Sequence, residues 1–277
     1  MAQKRVKQAA TNVTVHPTAL VDPHATLGSG VVVGPYAIIE AGAAIGAGTS
    51  IGPHCVIKSF VTLGEGNSLS VGVVLGEEPQ HLAFVGERSF VRIGHRNIFR
   101  EYVTVNRAYG EDAATEIGDD NYLMSYVHIG HNCQITSGTI ITSGAKLAGH
   151  VIVQDKANLG GQVGVHQFVR FGRLVMVGGG SIVRQDVPPF VLAVGAPARA
   201  YGLNAVGLTR AGVPLKHRTT LKRAFGLLYR SGLAVSTALT RMEAELGGDP
   251  YVAEMVSFIR GSERRGIIQW AHERDGE

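Results

Sequence analysis

An aliphatic residue recurs at every sixth position of this sequence, through Val15, Val21, Leu27, Val33, Ile39, Ile45, Ile51, Ile57, Leu63, Leu69 and Leu75 without a miss. After a lapse the spacing resumes at Ile93, Phe99 and Val105. It lapses again, then runs through Ile117, Leu123, Ile129, Ile135, Ile141, Leu147, Val153, Leu159, Val165, Phe171, Val177 and Val183. A period of six fits neither the 3.6-residue repeat of a helix nor the alternation of an ordinary strand. Glycine often follows the aliphatic residue, as in Ile45-Gly46, Ile51-Gly52 and Val177-Gly178, and each would weaken a helix by about 1 kcal/mol. A turn every six residues accounts for both features. Three hexapeptides then form one triangular coil of eighteen residues, the aliphatic side chains point inward, and successive coils stack at about 4.8 Å like neighbouring strands. The expected fold is an all-β parallel β-helix over residues 1–189.

The two lapses, 76–92 and 106–116, are expected to leave the column as excursion loops. Their sixth-position residues include His81, Glu87 and Glu111, which cannot fill an aliphatic interior. Loops carried on a rigid scaffold are where binding groups concentrate. The pattern changes at Pro188-Pro189, and from about Pro214 apolar residues fall at helical spacing: Leu221, Phe225, Leu228, Leu233, Leu239 and Leu246. The segment Tyr251 to Arg260, followed by Gly261, reads as one more helix. Residues 190–277 are therefore expected to form a C-terminal helical domain.

Composition narrows the class. With 45% hydrophobic and 17% charged residues among 277, the chain is expected to fold. Glycine at 37 and proline at 10 suit many tight turns rather than collagen. Two cysteines, Cys55 and Cys133, do not make a disulfide framework. The opening MAQKRVKQAA lacks the apolar stretch of a signal peptide, so a cytoplasmic location is expected. No apolar run has the length of a membrane span, and no nucleic-acid partner is expected. Net charge is +4, but between Asp186 and Glu243 there is no acidic residue. Arg199, Arg210, Lys216, Arg218, Lys222, Arg223, Arg230 and Arg241 fall in that stretch, which fits either a solvated face or an acidic partner.

Because one coil takes eighteen residues, His131 is expected over Gly149 and Gly149 over Gln167, with Asn132 over His150 over Phe168. His128 and His166 fall close by, so four of the eleven histidines gather within about three coils. A polar column on a scaffold whose outward residues are mostly small reads as a site. His131 is expected to face outward from a turn. His16, His24, His54 and His95 fall outside the constellation and read as plain surface turns.

The segments HIGHNC (128–133), LAGHV (147–151), GVHQF (164–168), VMVGG (175–179), DVPPFV (186–191), YGLNAVGLTRAG (201–212), LLYRSG (227–232) and RRGI (264–267) resemble the UDP-N-acetylglucosamine O-acyltransferase family, which begins lipid A synthesis. The likeness covers almost the whole chain. It implies a left-handed β-helix, a homotrimer whose cleft a neighbouring subunit completes, and two partners, acyl carrier protein and a nucleotide sugar. No cofactor or metal is implied, since the acyl group arrives on the carrier's phosphopantetheine as co-substrate. Residue by residue, His131 matches the general base, Asn132 its orienting neighbour, and Gly149 the N–H that holds the thioester oxyanion. Gln80, His81, His128, His150, His166 and Gln167 match groups lining the acceptor and acyl-donor cleft. Asn204 and Arg210 match nucleotide or phosphate contacts. Met176 and Gly179 fall where the family sets acyl length, and glycine there leaves room for a longer chain.

The chain departs from the family pattern at several positions. Pro-Gln-Asp-Leu-Lys is here Pro79, Gln80, His81, Leu82 and Ala83, so an acid and a cation are missing. His-Arg-Gly is here Asn106, Arg107 and Ala108, Val206 stands for a usual Glu, and Asn132 for the usual Asp after the base. Asn accepts a hydrogen bond from an imidazole N–H but supplies no charge. These changes keep open N-acylation of a diamino nucleotide sugar with the same donor. The period alone also fits a γ-type carbonic anhydrase-like metalloenzyme or a non-catalytic hexapeptide scaffold.

Overall fold

The computed structural model describes residues 12–271. The chain divides into two compact units, Met1–Gly138 and Thr139–Glu277. In the first, short parallel strands pair at an offset of eighteen, as in Thr14↔Val32, Leu20↔Ile38 and Thr26↔Ala44, which places three strands in each coil. The same offset runs through the second unit, with Lys146↔Gly164 and Ile152↔Arg170. The fold is the left-handed parallel β-helix, with helices at its C-terminal end.

The hexad works because each of its positions does a different job. Sixth-position residues such as Ile57, Leu75, Leu123, Ile129 and Leu147 are wholly buried, each worth roughly 1.5–3 kcal/mol of burial. Left-handed backbone recurs with the same period, at Gly30, Tyr36, Gly42, Gly48, His54, Phe60, Gly66 and Gly72, and turns the chain at each corner. The glycine after the aliphatic residue serves another purpose. A Cβ at Gly52 would lie 2.7 Å from the Leu69 carbonyl oxygen of the next coil, so stacking itself demands the small residue. His16, His24, His54 and His95 are exposed turn residues, as expected. Both cysteines are buried and neither is in a disulfide among the described residues. Cys55 Sγ donates to the Ser70 carbonyl at 3.0 Å, and burial pushes its pKa up to about 11.

The two lapses leave the coil without breaking its register. Strands end at Glu77 and Asn106 and restart at Phe90 and Ala114. A ladder of buried polar residues runs across both interruptions. Asn67 N–H donates to Thr49 Oγ1, eighteen residues back; Asn97 N–H to Asn67 Oδ1, thirty back; Asn121 N–H to Asn97 Oδ1, twenty-four back. The first excursion therefore adds twelve residues to a regular coil and the second adds six.

In the second unit the strand pattern outlasts Pro188-Pro189. Val191–Gly195 pairs in parallel with Met176–Val177 and then antiparallel with Ala198–Leu203, an addition that the period of six could not announce. Among the described residues four helices follow: α1 (Ala205–Arg210), α2 (Leu215–Tyr229), α3 (Val235–Leu246) and α4 (Pro250–Arg260). Leu221, Phe225 and Leu228 of α2 and Leu239 and Leu246 of α3 are buried, on the faces their spacing predicts. Asp249 caps α4 by accepting the Tyr251 N–H, with Pro250 in the first turn and Gly261 at the C-cap. Among the described residues no helix is long and apolar enough to cross a membrane.

Candidate active site

The two excursions form one assembly. Gly110 N–H donates to Glu87 Oε1 at 3.1 Å, and Arg88 pairs with Asp112 and Glu111. Arg107, almost fully buried, donates to the Glu87 carbonyl at 3.0 Å and lies over the Phe84 ring at 4.8 Å. Buried Asn106 donates its amide to the Glu78 carbonyl. Asn106, which departs from the family pattern, and Arg107, which keeps it, thus hold the first excursion to the second.

Under this assembly lies His131, which is 4% exposed. The expectation of an outward-facing histidine is corrected here: the two excursions, through His81 of the first and Tyr109 of the second, cover it. The His81 ring stacks on Tyr109 with centroids 4.0 Å apart and meets His131 edge-on at 5.3 Å. Asn132, in left-handed backbone at φ 59°, takes the next step. Its Oδ1 accepts the Tyr109 N–H at 2.9 Å, its Nδ2 donates to the Tyr109 carbonyl at 3.0 Å, and its own N–H donates to Thr115 Oγ1 at 2.8 Å. This reciprocal clamp fixes which end of the amide is oxygen. That oxygen also lies 2.8 Å from His131 Nδ1, so Nδ1 carries the proton and Nε2 keeps its lone pair. An aspartate could not donate to the Tyr109 carbonyl. The chemistry this suits is proton abstraction by a neutral imidazole. His128 Nδ1 lies 2.8 Å from Thr104 Oγ1 on the paired strand, and Gln80 is exposed.

The second unit brings together another set. His150, at φ 61°, stacks on Phe168 at 4.6 Å, and Phe168 N–H donates to the carbonyl of buried Gly149. The Arg264 guanidinium lies over the Phe168 ring at 3.2 Å. Arg265 reaches Gln167 and exposed His166: Nε donates to the Gln167 carbonyl at 2.9 Å, and Nη2 lies 2.7 Å from His166 Nδ1. Met176 is half-buried and Gly179 exposed. Asn204 is committed at both ends, its Oδ1 accepting the Gly207 N–H as the cap of α1 and its Nδ2 donating to the Leu174 carbonyl. Arg210 is exposed in the last turn of α1. Sequence reasoning did not single out Tyr109 or Thr115, because their contribution is a backbone pair and a hydroxyl with no period. Arg264 and Arg265 stood in a quoted motif without a role.

Comparison with known proteins bears on this geometry. A family model described as UDP N-acetylglucosamine O-acyltransferase, Domain 2, matches residues 186–268, and one for the bacterial transferase hexapeptide (six repeats) matches residues 114–149. An acyl-[acyl-carrier-protein]–UDP-N-acetylglucosamine O-acyltransferase of Burkholderia orbicola is 47% identical over 260 residues, covering 92% of this chain and 99% of its own. One of Gloeothece citriformis is 46% identical over 201 residues, covering 71% of this chain and 72% of its own. The crystal structure of the UDP-N-acetylglucosamine O-acyltransferase of Moraxella catarrhalis is 35% identical with a TM-score of 0.87, over 92% of this chain and 99% of that one.

Proposed function

The chain belongs to the UDP-N-acetylglucosamine O-acyltransferase family, and on that premise we propose that it moves a (3-hydroxy)fatty acyl group from acyl carrier protein to the 3-hydroxyl of UDP-N-acetylglucosamine, with His131 as general base. The observation that carries the mechanism is the Asn132 clamp. A sugar hydroxyl is a poor nucleophile at neutral pH, and an imidazole that takes its proton as the C–O bond forms contributes about 10² to 10⁴ in rate. Asn132 takes the Nδ1–H of His131, which makes Nε2 the nitrogen that accepts that proton. The hydroxyl oxygen attacks the thioester carbonyl, and the backbone N–H of Gly149 stabilises the oxyanion. Collapse of the tetrahedral intermediate then breaks the C–S bond, and the departing thiolate receives the proton from His131. A single oxyanion donor is worth roughly 3 kcal/mol. Neither a cofactor nor a covalent enzyme intermediate enters this scheme.

The other assignments follow the same reading. Gln80, His81, His128, His150, His166 and Gln167 line the acceptor and acyl-donor cleft. Asn204 and Arg210 belong to the nucleotide segment, and Met176 and Gly179 set acyl length. The acidless run supports docking of an acidic carrier protein. Arg218, Lys222 and Arg230 line a cavity of about 470 Å³ together with Leu208, Leu215 and Phe225. A homotrimer in the cytoplasm completes the proposal.

Mass spectrometry of products from a panel of acyl carrier proteins and nucleotide sugars tests it. An ester of UDP-N-acetylglucosamine is expected. Product only from a diamino sugar, as an amide, would replace the acceptor and trace the change to His81, Ala83, Asn106 and Val206.

A further inference from the structure

We propose that Arg265 is a positioning residue that holds His166 as the neutral Nε2–H tautomer, making this imidazole a hydrogen-bond donor to the bound substrates while His131 is an acceptor. The assignment rests on the acyl-transfer reading above, and its spectroscopic test is independent of that reading. A guanidinium only donates. With Arg265 Nη2 at 2.7 Å, His166 Nδ1 must therefore be the acceptor, and its proton resides on Nε2. The competing partner of Nδ1 is the Gln167 carbonyl oxygen at 3.4 Å, which would require the opposite tautomer. That separation is beyond ordinary hydrogen-bond length, and the same carbonyl already receives the Arg265 Nε–H at 2.9 Å. One planar fork thus occupies both groups.

The arginine arrives on a fixed arm. Asp186, 2% exposed, anchors the segment that carries it. Its Oδ2 accepts the Ser262 hydroxyl at 2.7 Å, its N–H donates to the Gly266 carbonyl at 2.9 Å, and its carbonyl accepts the Ile268 N–H at 2.9 Å. On the other side, Asp186 Oδ1 accepts the Arg170 N–H at 2.8 Å, and Arg170 Nη1 donates to the Gly261 carbonyl at 2.6 Å. The tail is thereby bolted on both sides of Arg265. The two histidines are oriented by opposite means: an amide oxygen takes the Nδ1–H of His131, and a guanidinium fills the Nδ1 lone pair of His166.

The test is a long-range ¹H–¹⁵N spectrum of the full chain labelled at histidine, recorded above the ordinary imidazole titration range, with His166 assigned by its loss in His166→Gln. Wild type should show an unprotonated Nδ1 at His166. Arg265→Met should move the proton toward Nδ1, drawn by the Gln167 carbonyl, and Arg265→Lys should restore the original pattern in part. In acyl-transfer assays Arg265→Met should lose about five- to tenfold in kcat/KM, with recovery in the lysine variant. A protonated Nδ1 in wild type overturns the proposal without recourse to any variant, as does an unchanged tautomer in Arg265→Met. If the tautomers behave as expected but wild type transfers no acyl group, the role of Arg265 toward His166 stands and the proposed function falls.

Discussion

The aliphatic column and the paired excursions beside it are built from one stretch of chain by opposite rules. Inside the column only the class of residue matters: Ile57, Leu75, Phe99, Val105 and Leu123 occupy equivalent positions and all are buried. At the excursions the individual atom matters. Asn132 uses its amide oxygen twice and its amide nitrogen once, and a residue of the same size with one atom changed cannot reproduce the clamp. The column is redundant because dispersion and burial are non-directional, and the clamp is not, because hydrogen bonds have direction and polarity. Stability should therefore follow the first region and activity the second.

The largest expected effect follows from removing the proposed base. His131→Ala should cost about 10² to 10⁴ in turnover on a verified acceptor while changing the melting temperature little. His131 owes its burial to the covering loops rather than to the column, and Asn132 would still hold Tyr109 in the variant. Turnover within a few-fold of wild type would remove His131 as the base. A large fall in melting temperature would erase the distinction between the two regions.

The reciprocal change is made in the column. Ile57→Ala empties a fully buried site and should destabilise the chain by about 2–5 kcal/mol, read as a shift in denaturant midpoint. Its kcat at temperatures well below melting should stay near wild type. If kcat falls with stability, the column transmits strain to the site and the division drawn above is too simple.

The same contrast explains what could be read from the residues alone. A period of six is visible because every coil repeats it, so the parallel β-helix, both excursions and the helical faces of α2 and α3 were legible. Of the candidate site, the sequence offered His131, Asn132 and the departure at Asn106, the last as a loss from a pattern. It could not show that Asn106 and Arg107 bind the first excursion, nor that the backbone of Tyr109 orients Asn132. Those contacts join residues 20 to 28 positions apart through loops with no repeat. The strand Val191–Gly195 was missed for a related reason: it pairs with Met176–Val177 out of step with the hexads that precede it.

The smallest expected effect lies on the outer surface of the coils. Glu101 accepts the Ser125 hydroxyl at 2.5 Å and the Arg100 guanidinium at 2.8 Å. The serine bond first, then the arginine, lower its pKa from 4.5 to about 2. A carboxyl whose pKa is depressed on folding stabilises the native state at pH values above its unfolded value and loses that contribution as pH falls through the folded value. Wild type should therefore melt above Glu101→Gln at neutral pH, by on the order of a degree because solvent screens the pair. The difference should shrink between pH 4.5 and about 2, where the native carboxylate takes up its proton. Acyl transfer should be unaffected, since Glu101 contacts neither the clamp nor the histidines of the site. A gap in melting temperature that stays constant across that window would show that Glu101 acts through packing rather than charge, placing this corner under the column's rule.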